Sequence, residues 1–218
     1  MAPIKTRSGG VFFYSHIDRV YKIGNLVEYM NIPQKNFAFI DAQNLSKSLA
    51  RHGWKVDRLR FRIFLKERFG VARAILFMGF IPDYSKMYEQ WKEAGFEIVF
   101  KETYRTNDGS LKGNCDAELV LETMSRMSEY DRAVIITGDG DFACLIRYLR
   151  QNDKLKTLIV PHKDEYSFLL RKAAGKMISF LSDSRSIIEL SDIKNKKDPS
   201  GTEPEGGLFV STGMTITY

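Results

Sequence analysis

Four aspartates sit at positions where carboxylates could act together: Asp41, Asp116, Asp139 and Asp141. Asp139 and Asp141 lie one residue apart in "TGDGDFACL" (137–145), straight after the apolar run "AVIIT". Asp41 closes a second apolar run, "NFAFID" (36–41), and Asp116 opens "DAELVLETM". Each has an ordinary explanation. A side-chain oxygen at a helix N-cap accepts a hydrogen bond from an orphan backbone N–H, and acids in a first turn are favoured by the helix dipole. Asp139 or Asp141 would cap "FACLIRYLR", and Asp41 or Asn44 the helix containing "LSKSLARH". Caps do not explain why several acids would meet at one edge. Clustered carboxylates repel and raise one another's pKa values unless a cation offsets the charge. An all-oxygen donor set suits Mg²⁺ or Mn²⁺ rather than zinc.

For the acids to converge, the elements that carry them must end at one place. Short apolar runs at 36–41, 73–80, 96–100, 132–137, 156–161 and 176–181 alternate with amphipathic stretches near 44–51, 57–69, 83–94, 115–129, 140–151 and 165–174. Continuous apolar character suits strands covered on both faces, as in a parallel sheet. The alternation predicts a doubly wound α/β domain over 36–190. In such a sheet, ligands bind beyond the carboxyl ends of the strands, where strand order reverses. Asp41, Asp139 and Asp141 fall at such ends, and Asp116 starts the helix before the "AVII" strand.

Outside that domain the sequence says less. In residues 1–35 the apolar positions Ile17, Val20, Tyr21, Leu26, Val27 and Met30 repeat roughly at helical spacing, which predicts a helix ended by Pro33. Residues 191–218 read as a flexible tail, charged and rich in Gly and Pro, with a more apolar end, "LFVSTGMTITY". A hydrophobic content of 44% argues against wholesale disorder, and a formal charge of +6 permits a polyanionic partner. Cys115 and Cys144 form no CxxC pair, and His16, His52 and His162 show no zinc spacing with them. No apolar run is long enough to span a bilayer, and "VFFY" is too short for a signal-peptide core. The expectation is a soluble, cytoplasmic protein. The oligomeric state is left open, a homo-oligomer included.

Taken in order, "FIDAQNL", "LKGNCDAELVLETM" and "VIITGDGDFACLIRYL" resemble the NYN domains, a branch of the PIN-like nuclease superfamily. The resemblance implies a Rossmann-like three-layer sandwich and a metal-dependent ribonuclease acting on RNA, single-stranded or structured. It implies that Asp41, Asp116, Asp139 and Asp141 hold Mg²⁺ or Mn²⁺ and so carry the catalysis. It also implies substrate contacts from Asn44, Lys112 and Thr137, and Arg105 lies in the same loop as Lys112. The chain departs from the family pattern at Ala42, where Gly is usual, and in a Lys112–Asp116 interval one residue longer.

Other chemistries fit less well. An aspartyl-nucleophile phosphatase wants a second acid at position 43, which is Gln43, and a dinucleotide site wants a GxGxxG after the first strand. A non-catalytic RNA-binding or regulatory module of the same fold is the chief alternative, and a toxin-type PIN nuclease would share the same acids.

Overall fold

The computed structural model describes residues 34–101 and 115–191, together with the backbone of short strands at 21–23, 26–28, 104–105 and 111–112. In the unit that precedes Gln34, β1 (Tyr21–Ile23) and β2 (Leu26–Glu28) pair antiparallel with Ile23 opposite Leu26. The helix expected across this stretch is thus, at 21–28, a strand pair. Over so few residues apolar spacing does not separate the two, and Gly24-Asn25 is a two-residue hairpin signal. The rest of the N-terminal segment, and the tail from 192 with "LFVSTGMTITY", lie outside the described residues.

The second unit begins with β3 (Asn36–Asp41), α1 (Ala42–Arg51) and α2 (Arg58–Phe69), followed by β4 (Val71–Gly79), α3 (Ser85–Glu93) and β5 (Glu97–Lys101). A short antiparallel pair, β6 (Tyr104–Arg105) and β7 (Leu111–Lys112), leads into α4 (Asp116–Ser125) and β8 (Ala133–Ile136). The chain then runs through α5 (Ala143–Gln151), β9 (Leu155–Val160), α6 (Phe168–Ala174), β10 (Ile178–Phe180) and α7 (Arg185–Ile188). Local signals set the element ends. The Asp57 carboxylate accepts from Arg60 N at 2.9 Å to start α2, and Gly70 ends it at a φ of 64° that a β-carbon would strain.

Six strands form one parallel sheet in the order β10-β9-β8-β3-β4-β5. Its faces divide by residue parity, as the two-residue strand period requires. Ala38 and Ile40 point into one apolar layer with Leu45, Phe61, Leu65 and Trp91 of α1–α3. Phe37 and Phe39 point into the other with Leu119, Ile146 and Leu170 of α4–α6. This double coverage is why the strands read as unbroken apolar runs. Each fully buried Phe or Leu contributes about 1.5–3 kcal/mol, so the two layers hold the sheet rigid beneath whatever its edge carries.

From β3 the chain steps to β4 and β5 on one side, then returns to β8 and proceeds to β9 and β10 on the other. The order therefore reverses between β3 and β8, and their carboxyl ends flank the crevice where such folds bind ligands.

Candidate functional site

Asp41 is the last residue of β3 and the N-cap of α1. Its Oδ1 accepts from Asn44 N at 3.0 Å, and its Oδ2 accepts from Thr137 Oγ1 at 3.1 Å. Thr137 follows β8 and is fully buried. The same hydroxyl oxygen accepts from Asp139 N at 3.1 Å. Asp139 in turn caps a single 3₁₀ turn, Gly140–Phe142, its Oδ1 accepting from Asp141 N at 3.0 Å. Asn44 closes the circuit, its Oδ1 accepting from Gly138 N at 2.7 Å. These bonds tie the ends of β3 and β8 together across the switch point, so the acids are held by backbone rather than left on a loose loop.

Asp116, first residue of α4, joins them from the other side. Asp116, Asp139 and Asp141 each offer a carboxylate oxygen, and these oxygens all lie within 4.8 Å of one another. Asp41 is not part of that mutual group. It lies close enough for the charges of Asp116 and Asp139 to reach it. Burial is the chief cause that lifts its carboxyl from the usual 3.8 to about 6, against the hydrogen bonds from Asn44 and Thr137 that favour the charged form. The expected cluster of four is thus a group of three with a half-buried fourth acid alongside. The donors are all oxygens, their charges unneutralised by one another, which fits a hard divalent cation.

Capping and clustering turn out to be compatible. Asp139 spends one oxygen on a backbone N–H and a carboxylate has two, whereas Asp41 accepts on both, from Asn44 N and from Thr137 Oγ1, each oxygen keeping a further lone pair. The glycines of "TGDGD" are there for close approach. A β-carbon on Gly138 would come within 3.0 Å of Glu165 O and 3.2 Å of Asn44 Oδ1, and one on Gly140 within 2.5 Å of Ser167 Oγ. Neither glycine has a positive φ, so close approach and not backbone conformation is the reason each is glycine.

The residues expected to meet substrate fare differently. Thr137 is buried with its hydroxyl shared between Asp41 and Asp139, and so positions the acids. The Asn44 side-chain oxygen is committed to Gly138. Arg105 and Lys112 lie in β6 and β7, and their side chains fall outside the described residues.

Lys47 was not legible in the sequence. Exposed on α1, it feels the charges of both Asp41 and Asp139, which work against the lowering of its pKa by burial. Only its spacing, two helical turns beyond the Asp41 cap region, could have pointed to it. A further layer supports the Gly138 turn: the Glu165 carboxylate accepts from Ser48 Oγ at 3.0 Å and pairs with Arg51 at 3.1 Å, beside the stacked rings of His52 and His162. Cys115 adjoins the acids, but burial, with the charges of Glu118 and Asp41, pushes its thiol up to about 12. It is no nucleophile near neutral pH.

Fold and site together define a three-layer α/β domain of the nuclease-like, PIN-related kind, with acids gathered at its switch point. Residues 37–185 match the family model of the NYN domain, and the chain belongs to that family. It is 26% identical over 167 residues to the low amplitude and bright protein LabA of Synechococcus elongatus, a likeness covering 72% of this chain and 89% of that relative. The crystal structure of VPA0982, a Vibrio parahaemolyticus protein of unknown function, aligns with a TM-score of 0.60 at 21% identity, covering 73% of this chain and 98% of that one. At that identity the likeness is one of fold. Among the described residues, no helix is long and apolar enough to cross a membrane.

Proposed function

We propose that this protein is a metal-dependent endoribonuclease that hydrolyses RNA phosphodiester bonds. The observation that carries the reading is the convergence, in an NYN-family chain, of the Asp116, Asp139 and Asp141 carboxylates within 4.8 Å of one another at the switch point. These three residues would hold Mg²⁺ or Mn²⁺, with Asp41 completing the donor set. A divalent cation there supplies Lewis acidity that makes water nucleophilic and offsets the charge of the phosphodiester. The chain's own groups then have separable tasks. Thr137 fixes the mutual orientation of Asp41 and Asp139. Lys47 meets a substrate phosphate beside the acids, and Arg105 and Lys112 supply further substrate contacts, as the family resemblance implies for Lys112. The Asn44 NH₂ group is the part of that side chain left to face substrate. No side-chain nucleophile is needed, in keeping with the neutral Cys115 thiol. The RNA preference rests on the family. A cytoplasmic site of action belongs to the same reading.

The test is cleavage of end-labelled RNA and DNA panels with Mn²⁺, Mg²⁺ or chelator, beside an Asp139→Asn/Asp141→Asn double variant. Metal-dependent cutting of RNA by the native chain, lost in the variant, is expected. A folded native protein that binds RNA but cuts no member of the panel would replace this reading with that of a non-catalytic RNA-binding module. Cutting that survives in the double variant would put the active site elsewhere.

A further inference from the structure

The outer face of α5 and α6 takes no part in the metal centre. The nine residues "ACLIRYLRQ" and the seven residues "FLLRKAA" contain Arg147, Arg150, Arg171 and Lys172, and no Asp or Glu. All four cations are exposed. Among the described residues none of them forms an ion pair. Of the acids nearest along the chain, Asp139 and Asp141 belong to the cluster at the switch point, Asp153 pairs with Arg132, and Glu165 with Arg51 and Ser48.

Within this basic face stands an aromatic ring that packs into neither apolar layer among the described residues. The inward line of α6 is Leu170, Ala173 and Ala174, all buried. Phe168 is 73% exposed, the most exposed large hydrophobic side chain among the described residues. Phe168 and Lys172, four residues apart, share one line down the helix. The face also begins at the acids. Ser167, which caps α6, stands where a Gly140 β-carbon would come within 2.5 Å of its hydroxyl, and Gly140 separates Asp139 from Asp141. Arg150 Nη1 would lie 2.9 Å from a β-carbon on Gly175, at the far end of α6, so the two helices run side by side away from the centre.

We propose that this face is a track for single-stranded nucleic acid leading out of the metal centre, with Phe168 as a base-stacking platform and Arg147, Arg171 and Lys172 meeting backbone phosphates. The proposal rests on the nuclease reading for its polarity, since it places the flanking strand of the scissile phosphate. An exposed ring can stack on a base only where the base face is open, which single strands offer and duplexes do not. A second copy of the chain is disfavoured as occupant, because like charges would face one another without an acid between them.

The experiment measures binding of labelled single-stranded and duplex RNA by anisotropy in chelator, where no cleavage intervenes, and sedimentation of the same samples. The full-length wild type is compared with Phe168→Ala and with Arg147→Ala/Arg171→Ala/Lys172→Ala. Phe168→Ala is expected to weaken single-strand binding about fivefold or more, and duplex binding less. The triple variant is expected to reduce the slope of log K against log salt by about 2. A third variant, Phe168→Trp, reports directly: Trp54 and Trp91 are buried, so fluorescence quenched by a single-stranded oligonucleotide in this variant alone places a base at position 168. Unchanged binding in both alanine variants overturns the track, and leaves the nuclease reading standing if the native chain cuts RNA. Quenching at position 168 in a chain that cuts nothing supports the track while hydrolysis falls. A dimer that Phe168→Ala converts to monomer without change in RNA binding assigns the face to self-association and overturns the proposal.

Discussion

Replacing Asp41 by Asn should make the metal-free protein more stable at neutral pH, although it removes a half-buried carboxylate from a built hydrogen-bond network. In the folded chain the Asp41 carboxyl titrates at about 6, against the usual 3.8, chiefly because burial disfavours its charge. The folded state therefore holds the proton more tightly than the unfolded state. Between these two values folding binds protons, so stability falls as pH rises. The destabilisation is absent below 3.8, grows through the interval and is complete above about 6. At about 1.36 kcal/mol per pH unit the interval is worth about 3 kcal/mol, or roughly 6–12 °C in Tm for a domain of this size. Asparagine resembles the protonated acid. Its oxygen can still cap α1 through Asn44 N, as Asn does at N-caps generally. Its NH₂ can donate to the Thr137 hydroxyl, which keeps a second lone pair for Asp139 N. The assay is urea or thermal unfolding in chelator from pH 4 to 8. The wild type should lose stability relative to Asp41→Asn as pH rises from about 4 to about 6, and the difference should then level off. A difference that is flat across this range, or that grows as pH falls, would refute the reasoning.

Three further outcomes follow from the same geometry. Mn²⁺ at a hundredfold excess over its Kd should stabilise the wild type by about 2.7 kcal/mol, and differential scanning fluorimetry should show no such gain in Asp139→Asn/Asp141→Asn. Gly140→Ala drives a β-carbon against Ser167 Oγ and should cost about 1–3 kcal/mol. Adding Ser167→Ala removes the clashing hydroxyl and should recover part of that loss, whereas strictly additive losses would show that the approach does not matter. Lys47→Ala should lower kcat/KM on RNA by about tenfold, a loss of about 1.4 kcal/mol, with Tm unchanged because the side chain is exposed. Unchanged kinetics would remove Lys47 from the site.

The sheet was legible because both its faces are covered. Phe37 and Phe39 serve one layer and Ala38 and Ile40 the other, so burial left no polar gap in the run and the strands of the sheet could be placed in outline. What periodicity does not carry is order. Nothing in "NFAFID" or "AVII" says that β3 and β8 are neighbours, with β4 on the other side of β3. That adjacency is fixed by chain crossings and packing across the whole domain. The hairpin of β1 and β2 was missed for the opposite reason: its strands are three residues long, too short for spacing to distinguish two periods.

The site shows where residue type informs and where it stops. Four aspartates announced carboxylate chemistry, but not that Asp41 would stand outside the close group of three with its carboxyl pushed up by burial. Nor did "TGDGD" reveal its partners, since Asn44, Glu165 and Ser167 reach Gly138 and Gly140 from other elements of the chain. Capping and metal binding looked like rival explanations only because each was weighed for a whole residue. Atom by atom they are compatible. One oxygen of Asp139 fixes the turn that presents Asp141, and one oxygen of Asp41 fixes the start of α1. The bonds that build the local fold thereby bring together acids that repel one another. A cap needs no glycine before it. A cap pressed against Ser167 and Glu165 does, and the alternation of glycine and aspartate in "GDGD" is the trace that this close packing leaves in the sequence.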